Sequence, residues 1–299
     1  MIIDATHLTT LTLGGIDMLV SADDERVRVW DPRTGKQVSE SAPLSGGITA
    51  IAVCPVGWRD PLIVAATDDE VSWLEPRTGG PAYSPDRTPY VGALGTWAGT
   101  LLAGSVFEPY AVQRWDAGTG CRLEPLGVHE DQVTAITVLD LPDGPIVCVA
   151  DKSGTIRRWN PCTGASAGTP LDTNDDVVMQ LSQIRLPDGR LLIAAASADL
   201  YRWDALTGEP VGVPVVVDSY AVAGLTPVLV NGRAELITTG ADEVVQRWDA
   251  TTGEQVGAPV PGRSATVLSR YGELNLAIAT LDGHIDLRVL GQPHPDRRT

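Results

Sequence analysis

Carboxylates are the side chains this sequence supplies most freely for chemistry. Asp and Glu number 38 against 22 Lys and Arg, a formal net charge of −16 over 299 residues. Many stand in tight groups, among them Asp23-Asp24-Glu25, Asp68-Asp69-Glu70, Asp175-Asp176 and Asp242-Glu243. Such groups can attract a cationic partner, or hold a divalent cation through hard oxygen ligands. No group has the spacing of a calcium-binding loop, so the sequence itself assigns no metal ligands. The same charge excludes a nucleic-acid footprint, which needs basic residues against phosphates, and disfavours anionic membrane surfaces.

Other chemistries find less. His7, His129, His284 and His294 belong to different segments, and no Ser or Cys stands in a nucleophile motif, so no catalytic residue is assigned. Cys54, Cys121, Cys148 and Cys162 form no Cys-x-x-Cys pair and read as free thiols rather than a metal or disulfide framework. No cofactor is implied. No apolar run approaches the roughly 20 residues that span a bilayer, and Met1-Ile2-Ile3-Asp4 lacks the regions of a secretory signal. The expectation is a soluble, cytoplasmic chain.

These residues are positioned by a repeat. Val245-Gln246-Arg247-Trp248-Asp249-Ala250-Thr251-Thr252-Gly253 has near-copies at 27–35, 112–120, 156–164 and 200–208. A weaker copy spans 71–79, and a stripped one is Ile285-Asp286-Leu287-Arg288. The Asp places (Asp31, Glu75, Asp116, Asn160, Asp204, Asp249, Val289) recur every 40 to 45 residues. A period this regular makes one closed array of seven units, approximately 5–46, 47–88, 89–130, 131–175, 176–219, 220–263 and 264–291, in a single domain 1–299.

Each unit reads as four short strands. The first alternates, as in Ile48 to Val53 and Val133 to Val138, and turns at Asp143-Gly144, Asp188-Gly189 or Asn231-Gly232. The second is apolar throughout, as in Leu191 to Ala196, which suits a strand covered on both faces. The third carries the Trp-Asp signature and turns at Thr-Gly. The fourth is polar and carries Pro43, Pro85, Pro125, Pro170, Pro214 and Pro259; proline cannot donate to a ladder and marks an edge strand. No segment has helical periodicity.

The pattern resembles the WD-repeat (Trp-Asp repeat) β-propeller family, in the bacterial form where Arg-Trp-Asp-x-x-Thr-Gly recurs. The resemblance covers nearly the whole chain. It implies an all-β, seven-bladed propeller of four-stranded antiparallel blades around a central channel, and a role in protein–protein interaction. The sequence departs from the family in lacking the Gly-His dipeptide; only His129 stands at the His place. The Asp before the Trp survives six residues ahead as Asp24, Asp242 and Asp282 and five ahead as Asp68, but Pro109, Ser153 and Ser197 replace it elsewhere. The family's His–Ser/Thr–Asp–Trp network is therefore incomplete in every blade. Arg114, Arg158, Arg202 and Arg247, each preceding the Trp, are expected to replace it by stacking on an aromatic or bonding a carboxylate of the next blade. The alternative is that they extend to solvent. Blade 7 lacks a fourth strand in order, leaving it three-stranded unless Met1-Ile2-Ile3 or the tail from Gly291 to Thr299 supplies one.

In this topology the loops from strand 2 to 3 and from strand 4 to the next strand 1 share one end. They carry nineteen acids, Asp151 and Asp199 among them, against Arg26, Arg87, Lys152 and Arg263. Solubility and turn chemistry account for part of this; the other reading is a surface for a protein partner with a basic segment. The candidates are Asp24, Asp68, Asp69, Glu70, Asp242 and Asp282, together with Arg87, Tyr90, Phe107 and Tyr110 where the repeat is most irregular. Phe107 and Tyr110 read equally as exposed binding groups or as plugs for the missing Asp of blade 3. Trp58 and Trp97 are expected to cap the opposite end. The signature Trp, Asp, Thr and Gly read as architectural because they recur. The alternative function is an enzyme or ligand-binding propeller with a divalent metal held by rim carboxylates at the channel mouth, where only His7 and His284 could approach each other. The scaffold reading fits a monomer or a module of a larger protein.

Overall fold

Turn chemistry fixes the pairing of strands. Asn231 and Gly232 both adopt positive φ, 50° and 78°, the geometry whose twist matches a tight antiparallel hairpin between Val222–Val230 and Arg233–Gly240. Repeating this hairpin with a third strand, and an outer strand where one forms, gives a seven-bladed β-propeller. The computed structural model describes residues 5–84, 90–174, 176–217 and 222–291, and no helix occurs among them.

Blade 1 runs His7–Leu13, Ile16–Ala22, Val27–Asp31 and Lys36–Glu40; blade 3 runs Val91–Trp97, Thr100–Ser105, Ala111–Asp116 and Arg122–Val128. The outer strands of blades 4, 5 and 6 are only two residues long, Leu171–Asp172, Val215–Val216 and Val260–Pro261. Pro170, Pro214 and Pro259 stand immediately before them, where a missing N–H interrupts the ladder. Among the described residues blade 2 has three strands, Ile48–Cys54, Leu62–Thr67 and Val71–Leu74, with a single bridge from Leu74 to Pro81 beyond them. Blade 7 also has three, Ser264–Arg270, Glu273–Ala279 and Ile285–Gly291. The segments considered for closing it, Met1 to Ile3 and the residues after Gly291, lie outside the described residues.

The core is divided between the blades. Each adjacent pair encloses its own apolar cluster, such as Leu139, Cys148, Ile193 and Trp203 between blades 4 and 5. The ring closes the same way, with Leu19 and Trp30 of blade 1 against Leu268 and Ala277 of blade 7. Second strands are covered on both faces: Leu62–Thr67 and Leu191–Ala196 are buried at every position.

The arginines before the Trp in blades 3 and 5 tie neighbouring blades, but to different partners than expected. Arg202 donates to the carbonyls of Ala250 (3.3 Å) and Thr251 (3.4 Å) in the signature turn of blade 6, and to Val213 (3.0 Å) in its own blade. Arg114 likewise reaches Pro161 (3.0 Å) of blade 4 and Glu124 (2.6 Å) of its own. Neither bonds a carboxylate or an aromatic ring there; backbone carbonyls of the next signature turn accept instead. Arg158 and Arg202 are buried, which excludes extension to solvent for both. Gly253 makes the approach possible. Its φ is +80°, and a Cβ there would fall 2.7 Å from Val215 and within 3.0 Å of the Arg202 guanidinium. Where the preceding residue is not Arg, another group reaches the equivalent carbonyl, as the Tyr83 hydroxyl reaches Ala117 at 2.8 Å. Arg247 has no signature turn in blade 7 to meet. It turns instead to the fully buried Glu235 of its own blade (2.6 Å), which also holds Arg233 (2.7 Å).

Fragments of the incomplete network persist. The Trp30 and Trp248 indoles donate to Ser21 and Thr238, each at 2.9 Å, and His129 lies 3.3 Å from Asp151 in blade 4. The hydroxyl-bearing residue pairs across the sheet with the residue two before the Trp, as Ser21 with Arg28 and Thr238 with Gln246. Val149 stands at that place in blade 4, opposite Arg157. There the ring nitrogens His129 Nε2 and Trp159 Nε1 are both buried without a hydrogen-bond partner among the described residues.

Candidate protein-interaction site

The loops from second to third strands, and from each blade to the next, emerge at one end of the ring. Asp24, Asp68, Asp69, Asp242 and Asp282 are exposed there, and Glu70 is half-buried, accepting the Ser72 hydroxyl at 2.8 Å. Local bonds hold the backbone of these loops. Ile48 N–H donates to the Asp24 carbonyl (3.0 Å) and Tyr90 N–H to that of Asp68 (3.2 Å). Asp282 accepts the Thr280 hydroxyl, which holds its carboxyl below the ordinary range. At Asp199 burial, and then the neighbouring Asp176 carboxylate, push the pKa up. The second effect is the signature of like charges crowded on one surface.

Two features make this end less negative than its loop residues imply. Asp151, counted with the rim, is fully buried and bonds His129, Ser153 and Arg157 (2.6 Å). Arg28 and Arg157 stand in third strands, yet their side chains are long enough to reach the loops. Arg28 pairs with Asp23, and Arg157 spans Asp151 and Glu130, the latter at 2.8 Å. Burial opposes the ionisation of Asp23, but the Arg28 hydrogen bond and two backbone N–H groups outweigh it and lower the pKa.

The irregular loops of blades 2 and 3 add aromatic surface. Tyr90 and Phe107 meet edge to face, centroids 4.9 Å apart at 88°. They remain 45% and 54% exposed, so Phe107 plugs no gap. Tyr110 is half-buried and its carbonyl accepts the His129 N–H at 2.7 Å. Arg87 lies outside the described residues. At the opposite end Trp58 is 100% exposed and caps nothing, because it stands in the turn between Ile48–Cys54 and Leu62–Thr67, beyond the ends of both strands; Trp97 is half-buried at the end of its strand.

The first strands line a central cavity of about 490 Å³, with Thr6, His7, Thr49, Thr134, Gln180 and Thr226 among its walls. His7 Nε2 lies 3.1 Å from the Thr49 carbonyl, and burial lowers its pKa, so the ring is neutral at pH 7. The Thr49 and Thr226 hydroxyls donate laterally to Val91 and Ala265 of the next blades. Among the described residues no carboxylate lines this cavity, and no three His, Cys, Asp or Glu gather as metal ligands. His7 bonds Thr6 and Thr49, whereas His284 is exposed beside Asp282 at 4.0 Å. His294 lies outside the described residues. Burial pushes the Cys54 and Cys148 thiols up to about 12, so both stay protonated; Cys121 and Cys162 are exposed and free.

No family model and no curated protein sequence matches the chain.

Of the ten candidate residues, the structure brings Tyr90 against Phe107 and ties Asp68 to Tyr90 through the backbone. Asp242 and Asp282 belong to blades 6 and 7, away from this group. Sequence reasoning missed a shallow pocket of about 510 Å³ lined by Glu108, Pro109, Tyr110, Val128, His129 and Glu130. The signal was present in Gly127-Val128-His129, where an apolar residue ends the outer strand.

Proposed function

We propose that this propeller is of the WD-repeat type and acts as a non-catalytic protein-interaction scaffold. Its acidic end engages a cationic peptide or the basic patch of a partner. One contrast carries the reading. Asp24, Asp68, Asp69 and Asp242 have no ion pair among the described residues, whereas Asp31 and Asp188 of the opposite end pair with Arg33 and Arg190 of the same turns. Unmatched surface charge of one sign steers an oppositely charged partner and gives association a steep salt dependence. The alternative of a divalent metal at the channel mouth has no converging ligand set in its favour. The reading places the protein in the cytoplasm, where the exposed thiols of Cys121 and Cys162 stay reduced.

The test is binding of basic peptides at low and raised salt, by the wild type and by Asp68→Asn/Asp69→Asn. The expected result is binding that falls at least about tenfold between low and physiological ionic strength and weakens further in the double variant. Binding that survives charge reversal of the acidic loops sinks the proposal. Stabilisation by added Ca²⁺ or Zn²⁺ would favour the metal reading instead.

A further inference from the structure

The pocket at the outer end of blade 3 joins two kinds of surface. Its walls are apolar, formed by Pro109, the Tyr110 side chain and Val128, which is 65% exposed. Its flanks are carboxylates, Glu108 and Glu130. Glu108 has no ion pair among the described residues. Glu130 already accepts a guanidinium, that of Arg157 at 2.8 Å, yet its side chain remains 84% exposed. The Tyr90–Phe107 pair continues the surface, since Phe107 precedes Glu108 and the Val106 N–H donates to the Tyr90 carbonyl at 3.2 Å.

We propose that this pocket takes an arginine side chain of the partner, the guanidinium lying between Glu108 and Glu130 and the aliphatic stem on Val128 and Pro109. The proposal rests on the acidic end being a partner-binding surface. An apolar ligand would leave the flanking carboxylates desolvated and unmatched. A metal ion would find too few oxygen ligands for its shell. A lysine satisfies the charge, but its ammonium is strongly hydrated and presents no plane to the aromatic rings. A guanidinium is more weakly hydrated, stacks on aromatic faces and pairs with carboxylates through a planar fork.

The test uses two blocked octapeptides of equal charge, one alternating Arg with Gly and the other Lys with Gly, titrated at low salt. The wild type is expected to bind the arginine peptide about fivefold more tightly. Val128→Lys puts a cation in the pocket at an exposed position, and Glu108→Gln removes one flank. Both should erase the preference. Asp282→Asn, on blade 7, should weaken both peptides alike and leave the preference intact. Equal affinities in the wild type, or a preference that survives Val128→Lys, would overturn the pocket while leaving the acidic end as a binding surface. If neither peptide binds, the acidic-end reading fails and the pocket with it.

Discussion

The two ends of the propeller use the same residue types to opposite effect. At the end of the first-to-second and third-to-outer turns, acids are satisfied within the repeat. Asp204 accepts the N–H groups of Leu206 and Thr207 at 3.0 Å, and Asp249 those of Thr251 and Thr252 at 2.8 and 2.9 Å. Others pair with an arginine two residues on, as Asp188 with Arg190 (2.8 Å) and Asp31 with Arg33 (3.1 Å). At the loop end Asp24, Asp68 and Asp69 are exposed and have no such partner among the described residues. An acid that recurs with the repeat serves the turn it sits in, so a partner must be sought among acids the blade itself does not use.

The largest way to break this division is at the turn end. Arg202→Leu removes three hydrogen bonds to carbonyls, two of them across the blade 5–6 boundary. Burial alone disfavours this guanidinium and lowers its pKa, which offsets part of the loss. A net cost of about 2 to 3 kcal/mol is expected, a fall of several degrees in melting temperature, with peptide binding at the other end unchanged. Arg247→Leu is a different experiment, because it strips one of two cations from the buried Glu235 without crossing a blade boundary. An unchanged melting temperature for Arg202→Leu would show that the boundary is held by apolar packing alone.

How much of this was legible follows the same division. Period, turn residues and the fully apolar second strands announced the seven blades, because each is a local demand that every unit must meet. The arginine before the Trp was legible as a tie between blades, but not its partner. Backbone carbonyls are invisible in a sequence, so carboxylates and rings drew the attention. The burial of Asp151 was hidden because its neighbours look like a loop, and only the fold brings His129 and Arg157 onto it. Trp58 misled for a related reason. Apolar bulk suggests burial, but nothing in a single sequence says whether a turn folds back. The Tyr90–Phe107 contact joins two blades and needed the structure, although the irregularity of both loops pointed to the place.

A smaller effect is expected inside blade 4. His129 Nε2 and Trp159 Nε1 are buried without a hydrogen-bond partner among the described residues, and Val149 occupies the place where Ser21 and Thr238 receive the indole N–H in blades 1 and 6. Val149→Thr supplies a hydroxyl there at little change in volume. It should stabilise by about 1 kcal/mol by satisfying buried groups, and Thr238→Val should cost about the same by orphaning the Trp248 indole. Paired thermal melts check both signs. A loss of stability in Val149→Thr would mean that the hydroxyl stays unpaired and that blade 4 has repacked around its missing link. Neither change should alter peptide binding, since both lie beneath the surface that separates the two ends.

The smallest effect reads the comparison directly, because blade 5 carries one carboxylate of each kind. Asp199 at the loop end has its pKa raised by burial and by Asp176, whereas Asp188 in the opposite turn is lowered by the Arg190 backbone N–H and side chain. A raised carboxyl favours the folded state below its ordinary value of 3.8, and that contribution is lost as pH climbs through the higher folded value, so at pH 7 ionised Asp199 is a penalty. A lowered carboxyl stabilises above 3.8 and loses its contribution as pH falls through the folded value. Asp199→Asn should therefore raise the melting temperature at pH 7, and Asp188→Asn should lower it. Solvent screening keeps the first effect to a few tenths of a kcal/mol. Both differences should shrink as pH falls toward 3.8 and below, and the Asp199 gain should also shrink with added salt. If Asp199→Asn does not raise the melting temperature at pH 7, the ionised Asp199 carboxylate is not a penalty to the fold.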